Sequence, residues 1–377
     1  MVSRRRQVVV AVSAAAMGLG SLGFEVIGLH ARMGPHDLHI FLLAAQRLIK
    51  AQPPYQLGFV SPPEWALLLL PISFLPFWVA IVFFITTSGL ALVWSSWRAA
   101  RWLGLTPPAT ALAALVSPMG WWGLMLGQPD ALLTAALLEL ILALGTGCWW
   151  LAGAISPWLL LKPDVTWPVV ILVPVAIWSD RRARSSYLRG ALPSLAVFVL
   201  LGGWLIPEWL VGLERFGQNS HFQPILSGVP ALLGGELAAA PPHQILTSPL
   251  GLVAVAAGFA AMVWLAARAS RSLPTGERAV WVAAMTIAIW VTVSPYVHNY
   301  DVLFLMPLAL LLLTRGPSWS AAALGLALLP LVVFPTLGAL AAISSGTVAA
   351  AGATALLAQH RDHLGGAETA AREARPT

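Results

Sequence analysis

Charge is what this chain has least of. Only 10% of its 377 residues are Asp, Glu, Lys or Arg, and lysine occurs twice, at Lys50 and Lys162. A soluble domain carries far more charge than that, so an ordinary soluble fold is excluded. Cysteine is as scarce. Cys148 stands alone, which excludes an internal disulfide, and beside Trp149 and Trp150 it reads as a packing residue. There is no Walker motif, zinc-ligand pattern, Gly-rich dinucleotide loop or repeat of fixed period. No cofactor and no metal are expected.

What is present is apolar. The chain is 58% hydrophobic with a mean hydropathy of +0.80. Lipid offers no partners to backbone polar groups, so long apolar runs must be helices or a closed barrel. These runs are continuous and lack a two-residue alternation, which selects helices. The fold class expected is an all-α polytopic membrane bundle of roughly ten to twelve transmembrane helices.

The net charge of +6 is carried by arginine, and its placement is one-sided. Arg4, Arg5 and Arg6 precede the first apolar run. Arg98 and Arg101 follow another; Arg181, Arg182, Arg184 and Arg189 form a cluster; Arg268, Arg271 and Arg278 form the next. With Arg315, Arg361, Arg372 and Arg375, these make up sixteen of the 21 basic residues. The positive-inside rule puts that side in the cytoplasm, together with both termini. Nucleic acid is not needed to explain such charge; the expected partners are the bilayer and membrane-borne substrates, and the expected location is the cell membrane. The apolar run after Arg6 continues to Leu29, too long for a signal peptide, and reads as an uncleaved anchor.

Candidate spans are 8–29, 76–97, 107–125, 130–147, 148–161, 165–179, 190–207, 249–267, 279–295, 301–314, 318–335 and 337–358. Residues 1–358 form one membrane domain on this reading, and 359–377, polar and without apolar periodicity, a disordered cytoplasmic tail. The non-cytoplasmic side receives residues 30–75, Gly127-Gln128-Pro129-Asp130, Lys162-Pro163-Asp164, residues 208–248, and 294–301. Most candidate polar side chains gather there. Polar groups at membrane depth are costly and usually functional, so chemistry should face outward.

Asp37 leads the candidates. It lies in Met33-Gly34-Pro35-His36-Asp37-Leu38-His39, ahead of a helix-like stretch to Lys50. It reads either as a cap of that helix or as a general base, since a carboxylate can take a proton from an attacking hydroxyl. His36 and His39 flank it, suited to hydrogen bonding with substrate or with Asp37. Arg32, close by in sequence, suits a phosphate. Lys162 is either a snorkelling lysine or a cation for a lipid phosphate. Gln128 suits a sugar hydroxyl; Asp130 reads as a helix cap or a ligand group. His298, Asn299 and Asp301 form the densest polar cluster after Asp37, and a turn explains the asparagine better than it explains the histidine.

Taken in order, these residues resemble a known family. Asp37, the helix to Lys50, Pro54-Tyr55, Phe59-Val60-Ser61-Pro62-Pro63, Leu70-Pro71 and Leu75-Pro76 resemble the start of glycosyltransferase family 87. The resemblance continues through Gly127-Gln128, Leu161-Lys162-Pro163 and Ser294-Pro295 with His298. Ala51-Gln52-Pro53 replaces the family's glycine step, and Pro129-Asp130 stands where members often carry asparagine. The resemblance implies a GT-C membrane fold, a polyprenyl-phosphate sugar donor, usually mannose, and a lipid or glycan acceptor. It implies that Asp37 is the catalytic base and that Lys162 and His298 serve the donor phosphate. A single displacement would then invert the anomeric centre. Two other classes fit a polytopic chain: a lipid or solute transporter, which predicts broken helices meeting at mid-membrane and internal repeats, and a catalytically degenerate membrane subunit.

Overall fold

The computed structural model describes residues 36–55, 59–219, 249–294, 297–333 and 343–358. The expected first span 8–29, Arg32, most of the outer segment 208–248 and the tail 359–377 lie outside the described residues, as do the side chains of His36 and Asn299.

Between residues 36 and 73 lie α1 (His36–Ile49) and α2 (Pro63–Ser73), packed on each other. The sequence placed the helix after Asp37; it already includes His36, so Asp37 sits in its first turn. Arg47 Nε donates to the Pro53 carbonyl at 2.7 Å, closing the turn that follows α1. Gln46 Nε2 donates to the Ser73 carbonyl at 2.8 Å and ties α1 to the end of α2.

A 27-residue helix follows, α3 (Phe77–Leu103). The run expected as one span over 107–125 is two helices, α4 (Pro107–Val116) and α5 (Pro118–Leu126), bent by 53°. Proline disfavours the helical conformation in the residue before it, and Ser117 is extended there with ψ 140°. Its hydroxyl accepts the Gly120 N–H at 3.0 Å and restarts the helix. Then come α6 (Asp130–Gly145), α7 (Trp149–Ile155) with a 3-10 extension Ser156–Leu161, and α8 (Pro163–Ile177).

α9 (Arg181–Gly202) begins nine residues before the span expected at 190. Its first turn is rich in arginine, which the helix dipole disfavours, but Asp180 caps it. One carboxylate oxygen accepts the Ala183 and Arg182 N–H groups, each at 3.0 Å. These bonds, that from Ala183 foremost, hold the Asp180 carboxyl below the usual carboxylate range. α9 crosses α7 with almost no space between backbones. A Cβ on Gly153 would lie 2.0 Å from the Tyr187 carbonyl oxygen, and one on Gly190 would lie 1.8 Å from that of Trp150. Small residues at such crossings let membrane helices gain contact where no hydrophobic drive exists.

The remaining elements are a 3-10 turn Gly203–Leu205 that runs α9 into α10 (Ile206–Asn219), α11 (Pro249–Ser272), α12 (Thr275–Val293), a 3-10 segment Asn299–Leu305 running into α13 (Met306–Arg315), α14 (Ser320–Val333) and α15 (Ile343–Ala358). Among the described residues four helices are long and apolar enough to cross a membrane, Phe77–Leu103, Arg181–Arg215, Gly251–Ala269 and Thr275–Val293; a fifth is the bent pair if it counts as one crossing. Trp149–Leu161, Pro163–Ile177 and Ile343–Ala358 are apolar but shorter. Prolines and 3-10 turns cut several runs below the length that their composition suggested. The chain is an all-helical, multi-pass membrane protein. Helix α12 is its centre: it is buried over most of its length, whereas α3 is largely exposed, and it packs on α6, α8 and α11.

Candidate active site

Two short turns build the site. The first follows α5. Gly127 has φ 74°, and the Gln128 N–H reaches back to the Gly123 carbonyl at 2.8 Å, a left-handed helix ending. Glycine is required twice over, because a Cβ there would also lie 2.3 Å from Leu38 Cβ on α1. The close approach puts Gln128 against the next residue back, Asp37. Gln128 Nε2 donates to Asp37 Oδ2 at 2.6 Å. One carboxylate oxygen is thereby fixed, and Asp37 is only partly buried.

Asp130, two residues on, turns the other way. It opens α6 without capping it. Its carboxylate is fully buried and accepts from Lys162 Nζ, 3.0 Å to Oδ1 and 3.2 Å to Oδ2. Lys162 also pairs with the carboxylate of Asp301 and lies 4.8 Å from the Tyr300 ring centroid. An ammonium has three N–H donors, and these three neighbours surround it. Lys162 was expected as an interfacial or phosphate-facing cation; it is 8% exposed and held by two carboxylates. Its backbone is held too, since Thr166 Oγ1 donates to the Lys162 carbonyl at 2.8 Å.

The second turn follows α12. The Trp290 indole N–H donates to the Asp164 carbonyl at 2.7 Å, which pins the end of α12 to the start of α8 beside Lys162. The chain then caps its 3-10 segment with His298. The His298 backbone N–H donates to Asp301 Oδ2 at 2.7 Å, and the Asp301 N–H returns to the His298 carbonyl at 3.0 Å. The first bond is the carboxylate half of a capping box, and the second is the i→i+3 bond of the 3-10 turn. His298 Nδ1 stands 3.8 Å from the same Asp301 oxygen, and the imidazole stacks on the Tyr300 ring at 5.0 Å.

The turn Gln128-Pro129-Asp130 thus joins two polar groups. Gln128 touches Asp37, Asp130 touches Lys162, and two residues of extended chain span at most about 7 Å. Asp37, Gln128, Asp130, Lys162 and His298 come from four separated stretches and form two groups, Asp37 with Gln128 and Asp130 with Lys162, Asp301 and His298, which that turn links along the chain. His39 joins neither: its side chain is exposed and meets Phe77 edge-on at 4.8 Å. Arg32 and the side chains of His36 and Asn299 lie outside the described residues. Asp301 was noticed in the sequence as part of a polar cluster, but not chosen for the site. The signal was its spacing: a carboxylate three residues after a candidate cap is the sequence form of a capping box. Among the described residues no group of three or more His, Cys, Asp or Glu is placed to hold a metal ion.

One protein family matches the chain. The model of Glycosyltransferase family 87 covers residues 59–295, a stretch that holds Gln128, Asp130 and Lys162, begins after Asp37 and ends before His298. No curated protein and no solved structure matches.

Proposed function

The chain belongs to glycosyltransferase family 87, and on that footing we propose that it moves a hexose, mannose by preference, from a polyprenyl-phosphate donor to a lipid or glycan acceptor at the extracytoplasmic face of the cell membrane. The fold would be of the GT-C type. The observation that carries this reading is the junction at Gln128-Pro129-Asp130. It links the contact of a partly buried carboxylate, Asp37, with Gln128 to a buried ionic cluster of Asp130, Lys162 and Asp301 that includes His298.

The division of labour follows from chemistry. A lipid phosphate is a weak base and leaves without a general acid. Asp37 takes the proton of the acceptor hydroxyl as that oxygen attacks the anomeric carbon, and the configuration inverts. Gln128 keeps one Asp37 oxygen engaged, so the other is presented to the acceptor. His298 faces the donor phosphate, and Lys162 supplies the positive charge beneath it. No metal takes part in this scheme. The polar residues lie at one end of the bundle in the sequence-derived topology, which favours transfer at a surface over the mid-membrane site of a transporter.

The test uses detergent-purified protein, radiolabelled polyprenyl-phosphate-mannose and total membrane lipid as acceptor. Label is expected to move to a new product with the wild type and not with a folded Asp37→Asn variant. Transfer retained in that variant would remove Asp37 as the base. Uptake into proteoliposomes without product would favour transport instead.

A further inference from the structure

We propose that Asp301 is the positioning residue of the donor-phosphate end of the site, acting through His298 and Lys162; this rests on the lipid-phosphate reading above. Asp301 is fully buried and does not meet a substrate itself. Its two oxygens do different work. Oδ2 takes the His298 backbone N–H at 2.7 Å and stands 3.8 Å from Nδ1, while Oδ1 pairs with the Lys162 ammonium. Tyr300, the residue before Asp301, adds a wall. The Tyr300 ring lies nearly parallel to the imidazole, 5° between planes, and 4.8 Å from the ammonium. The imidazole is therefore bounded by a carboxylate on its Nδ1 side and by an aromatic face.

Exposure decides which member meets the ligand. The side chain of His298 is 15% exposed, that of Lys162 10%, and that of Asp301 0%. A phosphate arriving from outside meets the imidazole edge first. Lys162 lies behind it, already paired with Asp130 and Asp301. Asp301 engages both His298 and Lys162, one through each carboxylate oxygen, so it fixes where the phosphate-facing edge sits relative to the charge behind it. Misplacement of a binding group by about 1 Å can cost on the order of 100-fold, which makes such a residue measurable.

The experiment compares binding of polyprenyl phosphate and of neutral polyprenol to the full-length protein in detergent. Asp301→Ala removes both the acceptor for His298 and the partner of Lys162. It leaves the contact of Lys162 with Asp130 in place. Polyprenyl phosphate is expected to bind at least about tenfold more weakly, with polyprenol binding unchanged. Asp301→Asn still accepts the His298 N–H and is expected to recover most of that loss. A variant that binds polyprenyl phosphate as tightly as the wild type, or more tightly, overturns the proposal. So does an equal loss for both lipids, which would mark a purely structural role. If Asp301→Ala does not fold, His298→Gln decides: it must weaken polyprenyl phosphate selectively, and wild-type binding there sinks the proposal. A wild type that does not distinguish the two lipids fails the lipid-phosphate reading itself, a result separate from any behaviour of Asp301.

Discussion

Lys162 shows how much a residue's meaning depends on what surrounds it. In the sequence it is one of two lysines, flanked by apolar runs, and an interfacial position fits it well. In the fold it is enclosed by Asp130, Asp301 and the Tyr300 ring. Breaking a buried ion pair by removing one partner costs about 3–5 kcal/mol, whereas an exposed lysine contributes little. Lys162→Met leaves two buried carboxylates facing each other and should lower stability by an amount of that order, read by denaturation in detergent. A loss below about 1 kcal/mol would mean that the ammonium sits in water after all. Asp130 shifts in the same way. As the first residue of α6 it reads as a cap, yet it makes no cap hydrogen bond and its charge goes to Lys162. Asp37 and Gln128 were each visible in the sequence as polar residues in outer turns, 91 positions apart. That one holds the other was not, because nothing local to either stretch specifies the contact.

At the scale of elements, breaks matter more than spans. The turn after α5 positions both halves of the site, and Gly127 is its hinge. Alanine at φ 74° costs about 1–2 kcal/mol in backbone strain alone. Gly127→Ala would in addition drive a Cβ into Leu38 and displace α1 with Asp37 on it. Transfer should fall far more than stability does. Gly147, also at φ 74°, is the control: the nearest atom to a Cβ there is Trp149 Nε1 at 3.8 Å. Gly147→Ala should show the backbone cost and keep activity. Equal activity in the two variants would separate α1 placement from function. The bend at Ser117-Pro118 was written in the sequence as a serine-proline step inside an apolar run. Hydropathy alone passes over it, since proline interrupts a helix without making the run polar. The early start of α9 has a similar origin. Hydropathy begins the span at residue 190, but the Asp180 cap extends the helix back through the arginines.

For the whole molecule, orientation is the property with the widest consequence. The arginine asymmetry predicts that the turn before α9 is cytoplasmic and that the loop after α1 faces out. In a Cys148→Ala background, a membrane-impermeant maleimide should label Gln52→Cys in intact cells and Arg182→Cys only after lysis. The reverse pattern would place the site on the cytoplasmic side and rule out an extracytoplasmic transfer. Composition determined the class of this protein without any coordinates: a chain so apolar and so poor in charge must satisfy its backbone inside lipid, and helices are how it does so. The sequence also marked most of the polar residues that matter, because polar groups stand out against an apolar background. Only the tertiary structure decided which of them meet. Asp37 with Gln128, and Lys162 with both Asp130 and Asp301, are contacts between stretches distant in sequence, and burial of Asp130, Lys162 and Asp301 means that their charges are met inside the protein.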